Sequence, residues 1–154
     1  MRTLRLLLPL ALVTQVLLAG PAEASPSTFI ANMTAEEVQP VPGPPGAKGT
    51  AKVVADQDAQ TVCYQLKYEG PGSMSAAHIH RGEKGMNGPV TINLDINAEC
   101  VSPNPAEIKA LVDWPDGYYV EIHTVAYQQN GAVRGQTVPD SGGQAPAHQQ
   151  QHQH

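Results

Sequence analysis

Alternation of apolar and polar residues dominates this chain once its first two dozen positions are passed. The clearest run is Thr61 to Tyr68, where Val62, Tyr64, Leu66 and Tyr68 share one parity and Cys63, Gln65 and Lys67 the other. Successive side chains of a strand point to opposite faces, so this is a half-buried strand with Cys63 turned away from the core. Phe29 to Met33 and Gly49 to Ala55 read as two earlier strands, the second closed by the polar turn Asp56-Gln57-Asp58. Between them lie Pro40, Pro42, Pro44 and Pro45. Prolines lack the backbone donor that a helix or central strand requires, so this segment is expected as an extended edge and loop. Further on, Pro89 to Ile96 alternates with Val90, Ile92, Leu94 and Ile96 on one side. Tyr118 to Tyr127 reads as another strand, Gln129-Asn130-Gly131 as a hairpin-type turn, and Ala132 to Val138 as the last strand.

One short helix interrupts this pattern. Asn104 suits an N-cap, Pro105 the first helical position, and Glu107 follows the cap by three residues. Ile108, Leu111 and Val112 then fall at helical spacing, and Trp114-Pro115-Asp116-Gly117 ends the helix in a turn. Short strands punctuated by Gly and Pro, with one helix in a connection, predict an all-β antiparallel sandwich.

The two ends of the chain do not fit that fold. Arg2 and Arg5 precede an apolar run from Leu6 to Leu12 that resumes at Val16 and is followed by Ala22-Glu23-Ala24. A charged start, a short apolar stretch and a small-x-small site describe a cleavable export signal over residues 1–24, too short for a membrane anchor. The sandwich is then expected over residues 25–138. Residues 139–154 are rich in His, Gln, Gly and Pro with nothing to bury, and are expected to stay disordered. No later stretch is apolar enough to span a bilayer, which leaves a periplasmic or extracellular protein.

Export bears on the cysteines. Cys63 and Cys100 are the only two in the chain, and an oxidising compartment favours their disulfide. The formal charge of −5 provides no basic surface, so nucleic acid is not an expected partner.

The candidate chemistry lies in Ala76-Ala77-His78-Ile79-His80-Arg81-Gly82 and in Tyr118-Tyr119-Val120-Glu121-Ile122-His123-Thr124. In a strand, His78 and His80 project together while Ile79 points the other way, and Val120 and Ile122 likewise oppose His123. All three imidazoles are therefore expected off the core face. If the two strands are neighbours, three neutral imidazoles converge, a donor set suited to copper or zinc. The competing reading is structural, with the histidines hydrogen-bonding loops across a sheet.

Taken in order, these segments resemble the CHRD domain. The resemblance rests on Glu37-Val38-Gln39-Pro40-Val41, Cys63-Tyr64, the His78 segment, Asn87-Gly88-Pro89-Val90, the His123 segment and Asn130-Gly131-Ala132-Val133-Arg134-Gly135-Gln136, spread from Phe29 to about Val138. It implies an immunoglobulin-like β-sandwich in an exported protein and no particular catalytic activity. The histidines also resemble, by order and strand context, three copper ligands of copper–zinc superoxide dismutase, a Greek-key sandwich. The bridging histidine of that family has no counterpart, since no histidine lies between His80 and His123.

These readings lead to a non-enzymatic binding module holding one copper ion through His78, His80 and His123, with zinc as the alternative metal. A copper-dependent dismutase and a metal-free structural or adhesive module are the competing functions. Glu121 shares the His123 face and is either a hydrogen-bond acceptor behind a ligand, a fourth ligand or, more simply, a solvated residue. Met74 offers a thioether or plain packing, and Arg134 either attracts an anionic substrate or, in the favoured reading, pairs with a surface carboxylate. His148, His152 and His154 add a second, weaker place for metal capture on the tail.

Overall fold

The computed structural model describes residues 25–140. The export signal expected over residues 1–24 and the tail histidines His148, His152 and His154 lie outside the described residues.

Nine strands make one antiparallel sheet that turns back on itself as a sandwich. They are β1 (Ser27–Thr34), β2 (Lys48–Asp56), β3 (Thr61–Glu69), β4 (Met74–Arg81), β5 (Val90–Leu94), β6 (Cys100–Val101), β7 (Tyr118–Thr124), β8 (Val133–Gln136) and β9 (Val138–Pro139). Their order across the sheet is β5-β4-β7-β8-β1-β2-β3-β6, with β9 pairing β1. The β8–β1 join holds by a single registered pair, Thr34 with Arg134. There the half carrying β4 and β7 folds over the half carrying β2 and β3.

Strand parity is borne out where it was clearest. Val62 and Tyr64 enter the core with Phe29, Ala31, Met33, Ala51, Val53, Ile79, Ile92, Val120, Ile122 and Val133. Helix α1 (Pro105–Asp113) begins as expected: the Asn104 side chain accepts from the Ala106 amide at 2.9 Å, and Ile108 and Leu111 are buried. Burial of such side chains, worth about 1.5–3 kcal/mol each, is what holds the layers together.

Cys63 and Cys100 form the expected disulfide, closing a separation of 37 residues. Cys100 starts β6 and stands directly opposite Cys63 in the β3–β6 ladder, so the bridge ties an added edge strand.

Three expectations about strand limits change. A register shift lies at Ile79/His80, so Ile79 pairs with Ile92 but His80 pairs with Val90. Val90 consequently leaves the core parity of Ile92 and Leu94 and is exposed. The β7 strand stops at Thr124, and Val125–Tyr127 forms a 3-10 helix instead of continuing it. The last strand splits at Thr137, whose amide and hydroxyl both donate to the Tyr118 carbonyl. That break lets β8 pair with β7 and β9 pair with β1, carrying the chain from one half to the other.

Candidate metal centre

Strands β4 and β7 are adjacent, and their register decides the site. Ala76 stands opposite His123, His78 opposite Glu121, and His80 opposite Tyr119. Directly paired residues share a face, so His78, His80, His123, Glu121 and Tyr119 all project outward, away from the core face of Ile79, Val120 and Ile122. The pair from β4 and the single histidine from β7 meet there. The His78 ring lies 5.7 Å from His80 and 4.9 Å from His123, centroid to centroid. One ligand nitrogen from each of the three lies within 4.8 Å of the others.

Outward does not mean wet. His80 and His123 retain only 9% and 7% exposure, and all seven residues of β7 are buried. Two loops lie over this face. The Gly88 carbonyl meets His80 Nδ1 at 3.0 Å, and the Gln128 carbonyl meets His123 Nδ1 at 3.0 Å. A carbonyl only accepts, so each Nδ1 carries the proton and each Nε2 is left with a free lone pair. Those two Nε2 atoms and His78 Nδ1 are buried without a hydrogen-bond partner.

This arrangement fits a metal. Imidazole ligands bind through an unprotonated nitrogen while the other ring nitrogen donates to a carbonyl, which orients the ring. Here two of three rings are already so held. Metal–nitrogen bonds of about 2.0–2.1 Å ask the rings to close in modestly. Electrostatics favour the neutral ligand form. Burial, then the neighbouring His123 and His80, hold His78 down to about 4, and burial likewise lowers His80 and His123.

Glu121 is not a solvated strand residue. It is 6% exposed, and its Oε2 lies 3.6 Å from His80 Nε2, within ion-pair range but too long for a hydrogen bond. Burial pushes its carboxyl up to about 7, against the pull of Arg134. Gly131, at φ +83°, makes room for it, since a Cβ there would meet Glu121 Oε1 at 1.9 Å.

Arg134 also departs from expectation. It is 1% exposed, and among the described residues its side-chain hydrogen bonds go to neutral acceptors rather than to a surface carboxylate. Its guanidinium donates to the Asn87 side chain, the Glu83 carbonyl and the Met86 carbonyl at 3.2, 3.1 and 2.7 Å, and lies 3.5 Å from the Tyr119 ring centroid. Tyr119 in turn stacks on His80 at 4.8 Å and 11°. Met74 is half-buried and packs against the hydrophobic core. Tyr119 and the Gln128 carbonyl were missed in the sequence. Tyr119 was findable, because it shares the parity of Glu121 and His123; the carbonyl carries no sequence signal.

Fold and site together define a disulfide-bridged β-sandwich with three convergent histidines on one outer face. The chain belongs to the CHRD domain family: the CHRD domain matches residues 29–137, a span that includes all three histidines and both cysteines. No curated protein and no solved structure matches the chain, and the likeness to copper–zinc superoxide dismutase gains no support from them.

Proposed function

We propose that this CHRD-domain protein is an exported, non-enzymatic binding module that holds one copper ion through His78, His80 and His123. The observation that carries the reading is the set of three buried imidazole nitrogens with no hydrogen-bond partner, two of them on rings pre-oriented by carbonyls. Leaving such polar atoms unsatisfied costs about 1–3 kcal/mol each unless something binds them. Copper is preferred to zinc because a given nitrogen site binds divalent copper more tightly. The Glu121 carboxylate beside His80 offsets part of the ion's charge, and the covering loops limit water access. Export is supported by the disulfide and by the signal-like pattern of residues 1–24. No described helix is long and apolar enough to cross a membrane.

The test uses the full chain with His148, His152 and His154 replaced by glutamine, so that the tail cannot contribute. Titration with copper against a competing chelator is expected to yield one tight equivalent, lost in His78→Ala and in His123→Ala. If this variant binds nothing while the unmodified chain does, the metal belongs to the tail and the strand histidines are structural. Superoxide turnover near the diffusion limit that vanishes in His80→Ala would replace the binding module with an enzyme.

A further inference from the structure

Arg134 is a buried cation whose hydrogen-bond acceptors are all neutral: one side-chain amide oxygen and two backbone carbonyls. Buried arginines are ordinarily matched by a carboxylate, yet Arg134 forms no salt bridge among the described residues. Its charge is thus felt by whatever lies next to it. Two separate routes lead from it to the same ligand. One is the stack, guanidinium on Tyr119 and Tyr119 on His80. The other is the loop, because the carbonyls it grips at Glu83 and Met86 belong to the segment whose Gly88 carbonyl orients His80 Nδ1. Tyr119 joins the routes, since its hydroxyl accepts from the Gly88 amide at 3.2 Å.

We infer that Arg134 sets which oxidation state of copper the three-histidine site prefers, holding His80 in place and, by its charge, favouring monovalent over divalent copper. The inference rests on the copper reading above. The physical reason is that the two ions differ by one unit charge while the fixed cation stays one aromatic ring away from a ligand. In a partly buried site such a difference is worth on the order of tenfold in relative affinity. Glu121, opposite Arg134 across the β7–β8 ladder, acts with the opposite sign. Removing the arginine leaves that carboxylate uncompensated and moves the preference further toward the divalent ion.

The experiment measures dissociation constants for monovalent and divalent copper, each against a chelator selective for that state, in the full chain with the three tail histidines replaced by glutamine. The readout is their ratio, because loosening the site weakens both states together and leaves the ratio alone. Arg134→Gln is expected to shift the ratio on the order of tenfold toward divalent copper. Arg134→Lys keeps the charge but loses the fork and the flat stacking surface. It is expected to weaken both states about 10–100-fold with the ratio held within about threefold. Glu121→Gln is expected to move the ratio toward monovalent copper. If Arg134→Gln fails to fold, the other two variants decide. A ratio unmoved by Glu121→Gln, or moved about tenfold by Arg134→Lys, overturns the inference, as does an unmoved ratio in folded Arg134→Gln. A parent chain that binds neither ion refutes the copper reading itself, a distinct result.

Discussion

The sandwich has two outward faces, and they are built on opposite terms. On the β2–β3 half, Lys52 stands opposite Gln65 and Thr50 opposite Lys67, with Lys52, Gln65, Thr50 and Lys67 all exposed. On the β4–β7 half, the equivalent outward positions are His78, His80, Tyr119, Glu121 and His123, covered by the loops after β4 and β7 and by Arg134 from β8. Both faces obey the same strand parity. Parity therefore says which way a side chain points, and the loops say whether it meets water. Covering polar groups is costly, so the covered face has to satisfy them internally or bind something that does.

The largest effect expected is on the open face, where covalent chemistry supplies the hold. Replacing Cys63 and Cys100 together by alanine is expected to lower stability by about 4 kcal/mol in the chain-entropy account, read by urea unfolding. An unchanged midpoint would mean that the β6 edge contributes little to the folded state. Next comes the contrast between the two faces themselves. Arg134→Ala removes three charge-assisted hydrogen bonds and a stacked cation, and is expected to cost about 3 kcal/mol. Lys67→Ala on the open face is expected to stay within about 0.5 kcal/mol. Similar losses from both would erase the distinction drawn between covered and open faces.

Gly131 sharpens the same point at a smaller scale. Its φ of +83° and its contact with the Glu121 side chain both oppose a side chain there. Gly131→Ala is expected to cost about 1–2 kcal/mol and to weaken copper binding by displacing Glu121. Gly85→Ala, at a similar φ of +79° but with open space around it, is expected to share only the backbone part and to leave copper binding unchanged.

The covered face also predicts a graded pH response in the metal-free protein. The three histidines have lowered folded pKa values, His78 to about 4, against about 6.5 unfolded. Below 6.5 the unfolded chain takes up protons that the folded site refuses. Their contribution is therefore full above 6.5 and declines as pH falls toward 4. Glu121 runs the other way: its carboxyl is raised to about 7, so its contribution is full below 4.5 and lost as pH rises through 7. Glu121→Gln is expected to remove the alkaline-side loss and leave the acid-side decline, measured by unfolding across pH 4–8. An identical profile in the variant would contradict the burial of this carboxylate. Proton competition for bound copper moves down as well, so copper is expected to stay bound at pH 6.

Much of the molecule was legible because the relevant physics is local. The alternation of Val62, Tyr64, Leu66 and Tyr68, the Asn104 cap and the pairing of two lone cysteines each depend on a few neighbouring residues. The parity that turned His78, His80 and His123 away from Ile79, Val120 and Ile122 belongs to the same class. It was enough to name the three candidate ligands but not to bring them together.

Their meeting required β4 and β7 to be neighbours with Ala76 opposite His123, a pairing between segments some 40 residues apart in a chain whose strands alternate alike. The shift at Ile79/His80 that turned Val90 outward is likewise a property of two strands and of neither alone. Burial of Arg134 depends on the Glu83–Gly88 loop over the outer face, and Glu121 is packed against the Gly131 turn between β7 and β8. A charged residue between apolar ones, as in Val133-Arg134-Gly135, looks the same in sequence whether solvent or a loop carbonyl receives it. Only the closed tertiary structure chooses between them, because the choice depends on which backbone acceptors long-range folding delivers.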